Sequence, residues 1–261
     1  VARDQLARGL SVAPPDEKSV AALRPLLALD AAKLLRDSMV VEVNVANVSL
    51  DGIVRDGTDM KTLTQMIQTV RSADPKNLPD SPSPPKRNPV AQVLLTDAQA
   101  TYLVYMGSVV QAAGLPASRV AVELGKLDQG VKKLSPATDL FTRMLAPSTS
   151  RAAIHLHNSA AGGRMAQIAL DLAAYKKAKG EYPATLVALP NADKLPVDPY
   201  SEKPFHYRRD AAGFTLWSVG ADGDDDGART LDEMNDDDST YAEDNEGDVV
   251  FRVPPTPAKW R

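Results

Sequence analysis

The sequence predicts an α+β protein: a mainly helical N-terminal region, then a long helix packed on a small antiparallel sheet interrupted by an acidic loop. Three observations carry this. Apolar residues recur at helical spacing toward Lys179, Phe205 to Val219 alternates about a central turn, and Asp222 to Asp248 concentrates 13 acids beside a single Arg. At 261 residues the chain can bury one large core or two modest ones. We divide it into a mixed α/β region over 1–90 ending in a proline-rich linker, a helical region over 91–146, and a helix-plus-sheet module over 147–261.

Residues 16–38 read as a helix, with Asp16 as N-cap and Val20, Leu23, Leu27, Ala31, Leu34 and Leu35 at helical spacing; Pro25 either kinks it or delays its start. Val41, Val43 and Val45 then alternate with Glu42 and Asn44, the pattern of a half-buried strand. Asp51-Gly52 and Asp56-Gly57 signal turns, after which Thr58 or Asp59 caps a helix through Leu63, Met66, Ile67 and Val70. Six prolines between Pro75 and Pro89 exclude a helix or inner strand there, and Pro82-Ser83-Pro84-Pro85 reads as a semi-rigid spacer.

From Asp97 a helix resumes, with Tyr102, Tyr105, Met106, Val109 and Val110 on one side and a stop at Gly114-Leu115-Pro116. Val120, Val122 and Leu124 alternate as a short strand before a helix from about Asp128. Ser148 or Thr149 then caps the long helix, in which Met165, Ile168, Leu172 and Tyr175 share a face. Lys176, Lys177 and Lys179 complement the dipole in its last turn, and Gly180 is placed as the left-handed cap. Gly162-Gly163 is its weak point. Proline stops follow, then a hairpin from Phe205-Tyr207 to Phe214-Leu216-Val219, and a third strand over Val249 to Val253.

Asp222 to Glu233 satisfies the spacing D-x-D-x-D-G-x5-E. Asp222, Asp224 and Asp226 can aim carboxylates at one hard cation, Gly227 allows the turn, Ala228 offers its carbonyl, Thr230 holds a water, and Glu233 closes the shell bidentately. The cation this chemistry suits is Ca2+. The region from Asp222 to Asp248 carries −12, which leaves +8 for the rest of a chain whose total is −4. Carboxylates at that density repel one another, and a divalent ion offsets the repulsion. Against an EF-hand sensor, a strand precedes the loop, and Arg229 stands where such loops place an apolar residue. A second run, Asp236-Asp237-Asp238 with Glu243, Asp244 and Glu246, has no spacing that fixes a site and reads as solvated loop.

The order Ala174-Tyr175, Gly180-Glu181-Tyr182-Pro183, Asp198-Pro199-Tyr200, Pro204-Phe205-His206-Tyr207, Leu216-Trp217-Ser218-Val219-Gly220-Ala221-Asp222-Gly223 and Asp248-Val249-Val250 resembles the major pseudopilin of type II secretion, the G protein. The resemblance covers about residues 150–253, a module also found at the end of larger bacterial envelope proteins. It implies a long helix laid on a small sheet, with calcium bound by the Val219 carbonyl, the Asp222 carboxylate and, from the loop's far end, Asp248. The prepilin signature and the apolar half of the N-terminal helix have no counterpart here, so filament assembly is not implied.

Cysteine is absent, which excludes disulfides, thiolate metal sites and a cysteine nucleophile. No run of about 18 apolar residues occurs, so membrane attachment needs a segment outside this chain. The opening at Val1 lacks the regions of a signal peptide and reads as a processed chain or a fragment. The basic excess is dispersed, which argues against nucleic acid. His155 and His157, two apart on a helix, point to nearly opposite sides, and His206 falls on the outer face of the hairpin. The sequence holds no G-x-S-x-G, phosphate-binding glycine loop, H-E-x-x-H or dinucleotide fingerprint. The expectation is a non-catalytic, calcium-binding structural or interaction component of an extracytoplasmic envelope or surface assembly, with protein partners. A pseudopilin-type filament subunit, a calcium-responsive binding protein and an enzyme with a cryptic site stand as alternatives.

Overall fold

The computed structural model describes residues 2–12, 16–56, 88–134, 139–146, 149–235 and 247–255. The helix expected from Thr58 or Asp59 to Val70, nearly all of the proline-rich linker and the second acidic run lie outside them. Helices α1 (Ala2–Val12), α2 (Glu17–Leu27), α3 (Ala31–Asp56), α4 (Pro89–Ala113), α5 (Ala117–Lys132), α6 (Leu140–Leu145) and α7 (Thr149–Lys179) precede strands β1 (His206–Arg209) and β2 (Phe214–Ser218), a short α8 (Leu231–Asn235) and β3 (Val249–Val253). This is the α+β class with the small antiparallel sheet that the sequence predicts. Contacts group the chain into two units that are not consecutive in sequence. One comprises residues 1–31, 116–118 and 154–261, and the other residues 32–115 and 119–153.

The second unit is helical. Asn88 caps α4 by accepting from the Val90 and Ala91 amides, and Pro89 occupies the first turn, where a missing N–H costs nothing. Ala91, Leu95, Ala98, Tyr102, Met106 and Val109 then form its buried stripe, against which α6 packs. The strand expected over Val41 to Val45 is instead part of α3. Leu35 and Leu50 are buried, and Asn47 accepts from the Gln99 amide of α4 at 3.1 Å. Docking of this helix outweighs the modest helix penalty of its valines, and the alternating residues lie mostly off its docked face, with Val41 and Val45 about 60% accessible and Val43 half-buried. The strand read at Val120 to Leu124 is likewise helical: Ala117, Val120 and Leu124, the buried residues, stand three and four apart within α5. The amides and hydroxyls of Thr149 and Ser150 all donate to Asp128 of α5, so the start of α7 is capped from a remote helix.

In the first unit Asp16 caps α2 by accepting from the Ser19 amide at 2.7 Å, but the helix ends at Leu27, just beyond Pro25. Helix α7 continues through Gly162-Gly163 and ends at Gly180, whose φ is +85°. Gly163 has a packing purpose: a Cβ there would lie 2.4 Å from the Leu27 carbonyl oxygen, so the bare Cα admits the end of α2. The sheet is an antiparallel meander with β2 in the centre, Trp217 opposite both His206 and Val250. Phe214, Leu216, Val249, Phe251 and Val253 of the inner face pack with Met165, Ile168, Ala169 and Leu172 of α7 and with Ala7 and Leu10 of α1. Burying such side chains stabilises by about 1.5–3 kcal/mol each, which makes this layer the foundation of the unit. All five residues of β2 are buried, because a second, smaller cluster of Trp217, Ala228 and Val250 covers the outer face.

Candidate functional site

The site begins where β2 ends. The Ser218 hydroxyl donates to Asp198 Oδ1 at 2.6 Å and accepts from the Gly220 amide. Asp198 is fully buried and also accepts from the Tyr200 amide and the Ser201 hydroxyl. Tyr200 in turn donates to Asn158 Oδ1 of α7 at 2.6 Å. The Asp198-Pro199-Tyr200 turn therefore fastens the root of the acidic loop to the long helix. Val219, next in the chain, is buried with Ala117 and Tyr200. Gly220 has φ +71°, and a Cβ on it would lie 2.5 Å from the Gly247 carbonyl oxygen, so the outgoing and returning chains touch here. Farther along, Thr230 bridges to Gly247, and the Asp248 amide donates to the Arg229 carbonyl.

The seven expected ligands separate into groups. Asp222 Oδ1 accepts from the Asp224 amide at 3.2 Å, and the Asp224 side chain is exposed. Asp226 is half-buried, and its Oδ2 has no hydrogen-bond donor among the described residues. Asp248 is 4% accessible; its Oδ2 accepts from the Ala228 amide at 2.7 Å, while its Oδ1 has no hydrogen-bond donor among the described residues. Burial pushes the Asp248 carboxyl up to about 6, and the charges of Asp225 and Asp226 push the same way against the amides of Ala228 and Asp226. Thus Asp226 and Asp248, 22 positions apart in sequence, are brought together with one unsatisfied oxygen each.

The Ala228 carbonyl and Glu233 are otherwise engaged. Arg252 of β3 donates to both Glu233 oxygens, at 2.9 and 3.1 Å, and to the Ala228 carbonyl. Glu233 also accepts from the Thr230 amide, whose hydroxyl accepts from the Glu233 amide, a reciprocal cap at the start of α8. Burial alone would raise the Glu233 pKa, but the Thr230 amide and the Arg252 guanidinium outweigh it and hold it below the ordinary value. The Asp222–Glu233 stretch therefore does not close as an EF-hand, because its twelfth residue is committed to an arginine. The T-x-x-E spacing of Thr230 and Glu233 was the sequence signal for that cap.

Asp225, outside the expected set, ties the loop to the sheet. It accepts from Trp217 Nε1 at 2.8 Å and from the Gly227 amide, and it lies 3.4 Å from His206 Nδ1. The Trp217 bond, foremost among several, lowers its pKa. His206 stacks on Trp217 on the outer face, while on α7 His155 is exposed and His157 buried.

A cation fits this arrangement on the strength of the two buried carboxylate oxygens that no donor among the described residues satisfies. Among the described residues no three His, Asp or Glu side chains converge on one point. A bound ion at Asp226 and Asp248 would therefore take the rest of its shell from backbone carbonyls and from water. Comparison of the chain with protein-family models, with curated proteins and with solved structures gives no match.

Proposed function

We propose that this protein is a non-catalytic, calcium-binding structural or interaction component whose ion fastens the acidic loop between β2 and β3. The observation that carries this reading is Asp248, a buried carboxylate with one oxygen that has no donor among the described residues and with other carboxylates beside it. Such a group destabilises a fold unless a positive charge or a proton arrives. Oxygen-only donors suit calcium or magnesium, and an irregular loop mixing carboxylates with carbonyls suits the larger, less geometrically demanding ion. The helix-on-sheet layout of the first unit and the resemblance of residues 150–253 support an extracytoplasmic assembly as the setting. Calcium there is abundant enough for a site with a dissociation constant of about 10⁻⁴ to 10⁻³ M. The partners on this reading are other proteins of an envelope or surface assembly.

Thermal unfolding in calcium, in magnesium and in chelator tests it. At 100 times the dissociation constant, calcium should stabilise by about 2.7 kcal/mol, a rise in Tm of roughly 5–10 °C. Magnesium should do less. Equal melting in calcium and chelator rejects the proposal.

A further inference from the structure

The geometry points to a second device at this site: Arg252 and a left-handed Ala228 form a clamp that sets the Asp248 carboxylate in place before any cation binds. This rests on the calcium reading above and deepens it, because a site assembled in advance acts as a permanent fastener rather than as a calcium-dependent switch.

Ala228 has φ +70°, a region that side-chain-bearing residues rarely adopt, and it is 1% accessible. Three contacts hold it there. Its methyl is buried with Trp217 and Val250, its carbonyl accepts from Arg252, and its amide donates to Asp248 Oδ2 at 2.7 Å. The carbonyl and the amide are thus used in opposite directions, one by the guanidinium and one by the carboxylate. Were the residue to relax to the right-handed region, its peptide groups would rotate and Asp248 would lose this donor. With Oδ2 occupied by Ala228, Oδ1 is the oxygen left for a cation.

Arg252 is fixed in turn. Its guanidinium bonds both oxygens of Glu233, and Glu233 is held by the Thr230 amide at 2.9 Å. Arg252 belongs to β3 opposite Thr215 of the central strand, so the clamp is mounted on the sheet. The planar fork presents Nη1 and Nη2 to the two carboxylate oxygens in parallel while Nη2 also serves the carbonyl; a lysine ammonium has three donors but is a single point charge on a flexible stem and does not fix that geometry. Arg252 is therefore a positioning residue: it touches no cation and acts through Ala228 on Asp248.

The experiment compares wild type, R252K and E233Q by calorimetric calcium titration and by amide hydrogen exchange at Ala228. E233Q weakens the clamp more gently and serves where R252K fails to fold. In wild type the Ala228 amide should be protected in chelator already, and calcium should bind in one step without further large change. Both variants should keep the stoichiometry, lose Ala228 protection in chelator and bind calcium more weakly, by about tenfold for R252K. Unchanged calcium affinity in R252K and E233Q overturns the clamp, as does wild-type Ala228 protection that appears only with calcium. No calcium binding by wild type overturns the underlying reading instead, a result that the variants cannot mimic.

Discussion

The stability change on replacing Asp248 by Asn depends on whether calcium is present. The folded carboxyl sits at about 6 against an ordinary 3.8, a displacement of about 2 units at about 1.4 kcal/mol each, or about 3 kcal/mol held against the fold at pH 7.5 without a cation. Because the folded value is the higher one, the metal-free folded chain binds a proton that the unfolded chain lacks between those two values. The contribution of Asp248 to metal-free stability should then be greatest below about pH 4, fall as pH rises to 6 and stay level above. Asn keeps an acceptor for the Ala228 amide and removes the charge, so in chelator at pH 7.5 D248N should be more stable than wild type by about 1–3 kcal/mol. That amounts to a higher Tm by roughly 3–8 °C. In excess calcium the wild type should rise by its ligand increment of about 2.7 kcal/mol and D248N should not move, so the variant's advantage should shrink by that amount. Differential scanning fluorimetry in the two buffers reads both effects. A variant less stable than wild type in chelator, or one that retains the calcium increment, refutes the reasoning.

Two further outcomes follow from packing. Gly163→Ala places a methyl 2.4 Å from the Leu27 carbonyl, and backbone must shift to admit it; urea unfolding should show a loss of about 1–3 kcal/mol, and a neutral result would mean that α2 does not seat on α7 as described. Asp198→Ala strands the Ser218 and Ser201 hydroxyls and the Tyr200 amide around a fully buried position; a loss of about 3 kcal/mol or more by the same assay is expected.

The helices and strands of the C-terminal half were legible because their signals are local. Lys176 to Gly180 mark the end of α7 by charge and conformation, and Phe205, Tyr207, Phe214 and Leu216 alternate as a half-buried hairpin must. Val41 to Val45 misled because period two over five residues is too short to exclude a helix, and the docking of α3 depends on Leu35, Leu50 and Asn47, which lie outside that window. In the loop, the acidic spacing singled out Asp222 and Asp226 as candidates, and the resemblance added Asp248. It could not reveal that Arg252 takes both Glu233 and the Ala228 carbonyl, since those partners lie 19 and 24 residues upstream and meet it only after β3 has paired. Asp225 was passed over because its partner, Trp217, belongs to the strand before the loop.

The first unit joins the start of the chain to its last hundred residues, with Ala7 and Leu10 of α1 in the same core as Phe251 and Val253 of β3. A ribosome therefore releases α1 and α2 long before the surfaces they cover exist. Those amphipathic helices must wait, partly unburied, while well over a hundred residues are synthesised. Contacts of such sequence separation close slowly and leave apolar surface open to aggregation in the meantime. During biogenesis the vulnerable segment is consequently the α1–α2 pair rather than the acidic loop, and a fragment beginning at α7 would carry an uncovered apolar face where α1 and α2 belong.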